Sequence, residues 1–450
     1  NMKKLLNLRA RKFSQQIVLF PLLLILLASL SYYAPSQSEQ VKVISTYPAT
    51  VCPAVGNKVA SVASLSNSKI QRRLINGISK TLNAGKKSLI VLNNDALLVE
   101  GNPGTALTFV NSGWKSVVPC SVSNGEQWFA GGSGALTSKS FLYIVNSGFS
   151  DSSVELQIYT PNGLIEPKSV VISQNSTKKI SVDTLVPGED KIVIGVKTLS
   201  GRVSSYLLDE RKKGLKSLGA DFVAPVATAN KKVTIAGISG LTGKQISNNN
   251  SASHTLRLLI PGTIDANIDV TINSNDGNFI PEGLAQFNVK NQRVLDIPLT
   301  FAPVNQPFSL IIDSDQPVLA SVLSEFAFGK SKEIAWATGA DDLSKWSVNL
   351  SGSKPVLSFS GNKINIQISA TTISGKKIDK KITGTDFLVW NAPSGLNRLQ
   401  ITANGKGITG GVIFFPEVGS IGSSYIPMNN GANLETASEP ISDASVISRG

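Results

Sequence analysis

The feature that most restricts how this chain can fold is a pattern that occurs three times beyond residue 139. In the first occurrence Val154, Leu156 and Ile158 alternate with Glu155, Gln157 and Tyr159, and the chain then reaches Asn162-Gly163. In the second, Ile268, Val270 and Ile272 alternate with Asp269 and Thr271 ahead of Asp276-Gly277. In the third, Ile366, Ile368 and Ala370 alternate with Gln367 and Ser369 ahead of Ser374-Gly375. Side chains of a strand point to opposite faces in turn, so this alternation marks half-buried strands. A glycine after Asn, Asp or Ser supplies the backbone freedom of a tight hairpin turn. The apolar triplet starts nine residues before the turn glycine in all three.

The likeness extends on both sides. Each copy opens on an apolar strand, Phe141 to Val145, Leu256 to Ile260 and Val356 to Phe359. Downstream, Ile192, Ile194 and Val196 lead to Gly201, Leu310 and Ile312 lead to Gln316-Pro317-Val318, and Leu399 and Ile401 lead to Gly407-Ile408. Copies of roughly 90–115 residues with six or seven strands predict all-β, tandem immunoglobulin-like antiparallel β-sandwiches. Propeller blades repeat at about 40–50 residues, which does not fit. Composition agrees: only 16 % of residues are charged, and Gly, Ser, Asn, Thr, Val and Ile suit short strands and turns. The sandwiches are placed at residues 139–226, 227–343 and 344–430. A Cys-containing β unit precedes them at 51–138, and the polar stretch 431–450 reads as a disordered tail.

The N-terminus predicts export. Ile17 to Ala34 carries no charge, and Lys3, Lys4, Arg9, Arg11 and Lys12 precede it. Cations before an apolar segment keep that end in the cytoplasm. The reading is a basic cytoplasmic segment (1–16), a transmembrane signal anchor (17–34) and a linker (35–50), giving a single-pass protein of the cell membrane with its ectodomain outside. The span sits near the lower limit of about 17 residues, so the alternative of a cleaved signal peptide and a secreted product stays open. The formal charge is +13, and beyond residue 34 there are 38 basic against 30 acidic residues. No basic block dominates that remainder, so the surplus reads as solubility.

The two cysteines, Cys52 and Cys120, fit an oxidising compartment, where an even count predicts one disulfide. Within the same unit Ile70, Leu74, Ile75, Ile78 and Leu82 have helical spacing, with Lys69, Arg72, Arg73 and Lys80 between them. A basic amphipathic helix competes there with the poor helix propensity of Asn76-Gly77, and the segment stays unassigned.

Several motifs in fixed order carry a resemblance. They are Cys52-Pro53, Cys120 followed by Gln127-Trp128-Phe129-Ala130-Gly131-Gly132, Gln316-Pro317-Val318-Leu319-Ala320 and Glu333-Ile334-Ala335-Trp336-Ala337. With the strand-turn repeats they resemble an uncharacterised family of large secreted or membrane-anchored proteins found mainly in actinobacteria. The resemblance covers roughly residues 50–430. It implies an envelope location and a β-rich ectodomain, and it implies no activity.

No catalytic constellation is legible. His254 is the only histidine and reads as a surface residue at a strand start, with no nucleophile elbow before it. One His and two separated Cys cannot complete a structural zinc site. Asn273-x-Asn275-Asp276-Gly277 reads as a turn rather than a calcium loop. Asp313/Asp315 and Asp341-Asp342 are neighbours in sequence only, which does not make a pair facing across a cleft. No phosphate-cradling loop occurs, and basic residues lack the interleaved aromatics of a nucleic-acid binder. Trp114, Trp128, Trp336, Trp346 and Trp390 are the candidate ligand-contact aromatics, against the competing role of core packing. Trp128-Phe129 is expected to pack over the disulfide. The expectation is a non-enzymatic, membrane-anchored envelope protein without a cofactor, acting as a scaffold or protein-interaction module. Its partners are the cytoplasmic membrane through the N-terminal helix and envelope proteins or cell-wall glycan, with no nucleic acid. The alternative is a glycan-binding module, and a wall hydrolase ranks third.

Overall fold

The computed structural model describes residues 43–44, 50–55, 59–63, 70–83, 87–91, 95–100, 104–111, 114–241, 246, 250–415, 422–429 and 437–438. The anchor at 17–34 lies outside these residues, as do most of the linker and of the tail. Among the described residues no helix is long and apolar enough to cross a membrane. The chain divides into two compact units. In one, β1 (Val43–Ile44) pairs antiparallel with β33 (Ala437–Ser438). The other spans residues 47–434 and holds every remaining strand.

This larger unit contains four copies of one plan. The N-terminal copy has β2 (Thr50–Cys52), β3 (Val59–Ala63), β4 (Ile70–Leu74), β5 (Lys80–Leu82), β6 (Lys87–Val91), β7 (Leu97–Glu100), β8 (Ala106–Asn111) and β9 (Trp114–Pro119). Repeat 1 has β10 (Glu126–Phe129), β11 (Phe141–Asn146), β12 (Ser152–Thr160), β13 (Gly163–Leu164), β14 (Lys168–Ile172), β15 (Ser176–Ser181), β16 (Val193–Ser200), β17 (Val203–Lys213) and β18 (Lys216–Val223). Repeat 2 has β19 (Asn230–Ile238), β20 (Asn250–Leu259), β21 (Ala266–Ser274), β22 (Gly277–Phe279), β23 (Phe287–Val289), β24 (Leu295–Pro298), β25 (Phe308–Phe328) and β26 (Ser331–Thr338). Repeat 3 has β27 (Lys345–Ser353), β28 (Val356–Thr372), β29 (Lys377–Asn391), β30 (Leu396–Ala403), β31 (Thr409–Phe414) and β32 (Ser424–Pro427).

In repeat 1 one sheet runs β10-β16-β12, with β13 and β14 on β12, and the other runs β15-β11-β17-β18. Repeat 2 keeps this order but fuses two strands. The first half of β25 pairs with β19 and β21, its second half with β20 and β26. The change of sheet falls near Pro317, where the ladder needs no N–H donor. Repeat 3 fuses further, with β28 and β29 each serving both sheets. The inward triplets at 154–158, 268–272 and 366–370 are buried in the cores, as their alternation requires.

One open segment is assigned here and one sequence expectation changes. The segment with helical spacing forms the β4–β5 hairpin, Ile70 opposite Leu82. Its turn, Leu74–Gly77, occupies the place of Thr160–Gly163, Ser274–Gly277 and Thr372–Gly375 in the three repeats. Asn76-Gly77 disfavours a helix for the same reason that it suits this hairpin. Second, β10 pairs with β16, so repeat 1 takes in Glu126–Phe129 and does not start at residue 139. A short strand with its partner some seventy residues away gives no local signal of which domain owns it.

The copies are joined by six residues each time (120–125, 224–229 and 339–344), and each packs its first strand on the next copy. Val51 of β2 clusters with Val145 of repeat 1. Trp128 of β10 clusters with Leu259 and Leu319 of repeat 2. Ile235 of β19 clusters with Ile413 and Tyr425 of repeat 3. Trp346 and Val348 of β27 cluster with Ala106 and Val117 of the N-terminal copy, where Asn349 N–H also reaches the Gly104 carbonyl at 2.7 Å. That last contact closes the circuit. At its middle the final strands of all four copies, β9, β18, β26 and β32, pack side by side.

Candidate functional site

The four central strands each bring one residue to a single carboxylate. Asp221 of β18 has no solvent exposure. Its Oδ1 accepts hydrogen bonds from the hydroxyls of Ser116 (2.5 Å, β9) and Ser424 (2.7 Å, β32). Its Oδ2 accepts the backbone N–H of Trp336 (2.9 Å, β26). No cation completes the set, so burial outweighs the donors and pushes this carboxyl up to about 7. Glu333 of β26 is also fully buried, and burial together with the nearby Asp221 raises it to about 8. Its Oε1 accepts the Ala220 N–H at 3.1 Å while Oε2 is buried without a partner.

Asp209 of β17 is treated differently. Burial alone would raise it, but the Arg211 guanidinium and donors from Ser140, Trp336 and Ser138 prevail and hold the carboxyl below its ordinary value. The Trp336 indole N–H reaches Asp209 Oδ2 at 3.0 Å. A second buried charge joins repeats 1 and 2. Arg257 of β20 grips Asp296 through two bonds (2.8 and 2.9 Å) and donates to the carbonyls of Gly132, Ile192 and Asp190.

Where the joining segments gather, the central strands end in a pocket of about 190 Å³. Its lining comes from the N-terminal copy, repeat 1 and repeat 3, with Val117, Val118, Phe222, Trp346 and Tyr425 buried in its wall and Asn124 and Asp341 exposed at its rim.

The expected disulfide is present: Cys52 and Cys120 are bonded, with Cα atoms 4.4 Å apart, and clip β2 to the first joining segment. The candidate tryptophans do not assemble into a platform. Trp114 lies in the core of the N-terminal copy, Trp128 between repeats 1 and 2, Trp336 in the core of repeat 1, and Trp346 and Trp390 in that of repeat 3. None is more than 7 % exposed, because each ring's large apolar area is spent on packing. Trp128 lies against Gly195 and Tyr159 rather than over the disulfide, since its strand turns towards repeat 2. His254 is buried, not on the surface. It bonds Ser324 at 2.9 Å and sits edge-on to Phe308, and burial lowers it to about 4.

Asp313 pairs with Lys232 at the surface and Asp315 caps Asn267, so neither faces a second acid across a cleft. Among the described residues no group of three or more His, Cys, Asp or Glu is placed to hold a metal. Sequence reasoning passed over Asp209, Asp221 and Arg257, and it named Gln127 and Glu333 only inside motifs, without a role. Their one local signal is a polar group inside an otherwise apolar strand, as in Leu207-Leu208-Asp209 and Ala220-Asp221-Phe222.

A family of unknown function, DUF5719, matches residues 115–383, well over half of the chain. The chain belongs to this family. The DUF5719 match runs from within β9 to within β29, so it takes in Ser116, Asp221 and Trp336 of the axial cluster but not Ser424. No curated protein matches the chain. Among solved structures, it is similar to one described as a tetra-tandem repeat in the extending region of a large adhesion protein, at 11 % identity over 85 % of this chain and 99 % of that one. The TM-score is 0.10, and so slight a likeness carries no argument.

Proposed function

We propose that this DUF5719 member is a non-enzymatic envelope protein, held at the outer face of the cytoplasmic membrane by residues 17–34. Its closed circuit of sandwiches serves there as a rigid scaffold or protein-interaction module. The carrying observation is that Asp221 is bonded from each of the other three copies. A shared buried polar centre is stable only when every partner is in place. It therefore favours one fixed arrangement of four domains, which is what a scaffold requires. Burial of the tryptophans removes the motive for the glycan reading.

The test is crosslinking of intact cells followed by purification of the chain. Reproducible recovery of the same envelope proteins is expected. If the protein retrieved none and instead bound isolated wall glycan, the scaffold reading would fall. N-terminal sequencing of protein from the membrane fraction checks the anchor, with an intact residue 17–34 segment as the expected result.

A further inference from the structure

At the end of the central strands away from the pocket, two hairpins project together. β18 and β26 run side by side in one direction: the Ala220 N–H reaches Glu333 Oε1 at 3.1 Å, and the Trp336 N–H reaches Asp221 Oδ2 at 2.9 Å. Residues 219–221 are therefore level with residues 333–336, and the β17–β18 and β25–β26 turns, a few residues earlier on each strand, lie at the same end. The first turn carries Lys213 and Lys216 and the second Lys330 and Lys332, all exposed. None of these four has an acid partner among the described residues. The nearby acids are engaged elsewhere: Glu210 holds Lys212 at 2.8 Å, and Asp209 and Glu325 face Arg211.

Apolar side chains crown the same end. Leu215, at the tip of the first turn, and Leu136 are fully exposed, at 105 % and 98 %. The Lys212 N–H bonds the Thr137 carbonyl at 2.8 Å, which seats Leu136 beside the hairpin. A lone exposed leucine needs no explanation. Two such leucines among unpaired lysines have the chemistry of an interfacial membrane contact, in which cations meet headgroups and apolar side chains enter the acyl boundary. We infer that this end of the unit docks on an anionic lipid bilayer, with Lys213, Lys216, Lys330 and Lys332 against the headgroups and Leu136 and Leu215 in the interface. A dissolved polyanion would use the lysines alone. The two turns lie far apart in the sequence, which is why no basic block shows there. The inference rests on the membrane-held reading above for the source of the lipid, and adds the surface that faces it.

The experiment labels the full chain at Leu215→Cys with an environment-sensitive nitrobenzoxadiazole; the two native cysteines are bonded to each other and do not react. The protein is reconstituted into nanodiscs of phosphatidylcholine, alone or mixed with phosphatidylglycerol. Emission should rise about two- to threefold in the anionic discs. It should fall back when salt is raised from about 0.1 M to about 1 M, where the Debye length shrinks from about 10 Å to about 3 Å. Lys213→Gln, Lys216→Gln, Lys330→Gln and Lys332→Gln together should abolish the rise. If that variant does not fold, the first two alone should halve it. The control is a label at Phe149→Cys, 84 % exposed and beyond the opposite end of β17, where Asn146 pairs with Val203. Its emission should be the same in both lipids. Equal emission from residue 215 in both lipids, an equal rise at residue 149, or a rise that survives loss of the lysines overturns the inference. So does a response to dissolved dextran sulfate as large as that to the lipid, which would mark a polyanion site. Co-elution of chain and disc reports the anchor separately. A chain that leaves phosphatidylcholine discs fails the anchor reading, while emission in anionic discs still decides the hairpins.

Discussion

Asp209 and Asp221 stand directly opposite one another on β17 and β18, both without solvent exposure, and Trp336 donates to each of them. Adjacent buried carboxylates cannot both carry charge cheaply. The chain resolves this by giving the Arg211 guanidinium to Asp209, at 3.1 Å, and only hydroxyls and an N–H to Asp221. Asp209 is held below its ordinary value and Asp221 is raised to about 7, and the four copies meet on the raised one.

Stability should therefore fall as pH rises through neutrality and level off above about pH 8. Asp221 rises from 3.8 to about 7 on folding and Glu333 from 4.5 to about 8. The folded state binds these protons more tightly, so their contribution is complete below about pH 4 and is lost as pH passes through about 7 and 8. Asp209 and His254 shift downward, so their contributions change only below the ordinary values of 3.8 and 6.5. Urea midpoints between pH 6.5 and 8.5 should drop, each acid contributing at most about 1.4 kcal/mol per pH unit. Asp221→Asn should flatten roughly a third of this slope, and an unchanged slope would show that Asp221 is not the titrating group.

Arg257 is expected to be the costliest charged residue to remove. It is 2 % exposed and spans repeats 1 and 2, with Asp296 and three carbonyls depending on it. Arg257→Leu leaves Asp296 without its ion-pair partner, and breaking a buried pair from one side costs about 3–5 kcal/mol. Replacing both, Arg257→Met with Asp296→Leu, should recover part of that loss in the same denaturation assay.

The disulfide closes a loop of sequence separation 68. Chain-entropy arguments assign such a loop roughly 4 kcal/mol. Reduction by dithiothreitol, or the paired Cys52→Ala and Cys120→Ala change, should lower the unfolding midpoint by that order. Fluorescence of Trp114, which shares a buried cluster with both cysteines, should report the change.

Two glycines offer a contrast. A Cβ on Gly134 would lie 2.2 Å from the Val186 carbonyl oxygen, a backbone atom that cannot swing aside. On Gly125 it would meet nothing within 4 Å. Gly134→Ala should cost at least about 1–3 kcal/mol, as overpacking does, and Gly125→Ala should stay within about 0.5 kcal/mol of the parent. Thermal unfolding of the two variants side by side checks the difference.

Much of the fold was legible because it is written locally. Val154-Leu156-Ile158 and its two counterparts mark strands by alternation alone, and the turn glycines fix where each hairpin reverses. The N-terminal copy was harder to read. Its strands are short, and Ile70, Leu74 and Leu82 satisfy helical spacing as well as a hairpin. The candidate site was barely legible. The tryptophans were visible as residues, but whether an indole faces solvent or a neighbouring domain depends on packing that no local pattern records.

By itself, then, the sequence determined the alternating strands, the turns between them, the pairing of its only two cysteines and the all-β class, because each follows from the chemistry of near neighbours or from a count. Tertiary structure alone decided that Ser116, Asp221, Trp336 and Ser424 meet, that the first strand of each copy belongs to its neighbour's surface as much as to its own sheet, and that a fourth copy closes the circuit. Those residues lie up to 308 positions apart. What brings them together is the burial of four apolar faces at once, a condition on the whole chain that no window of sequence contains.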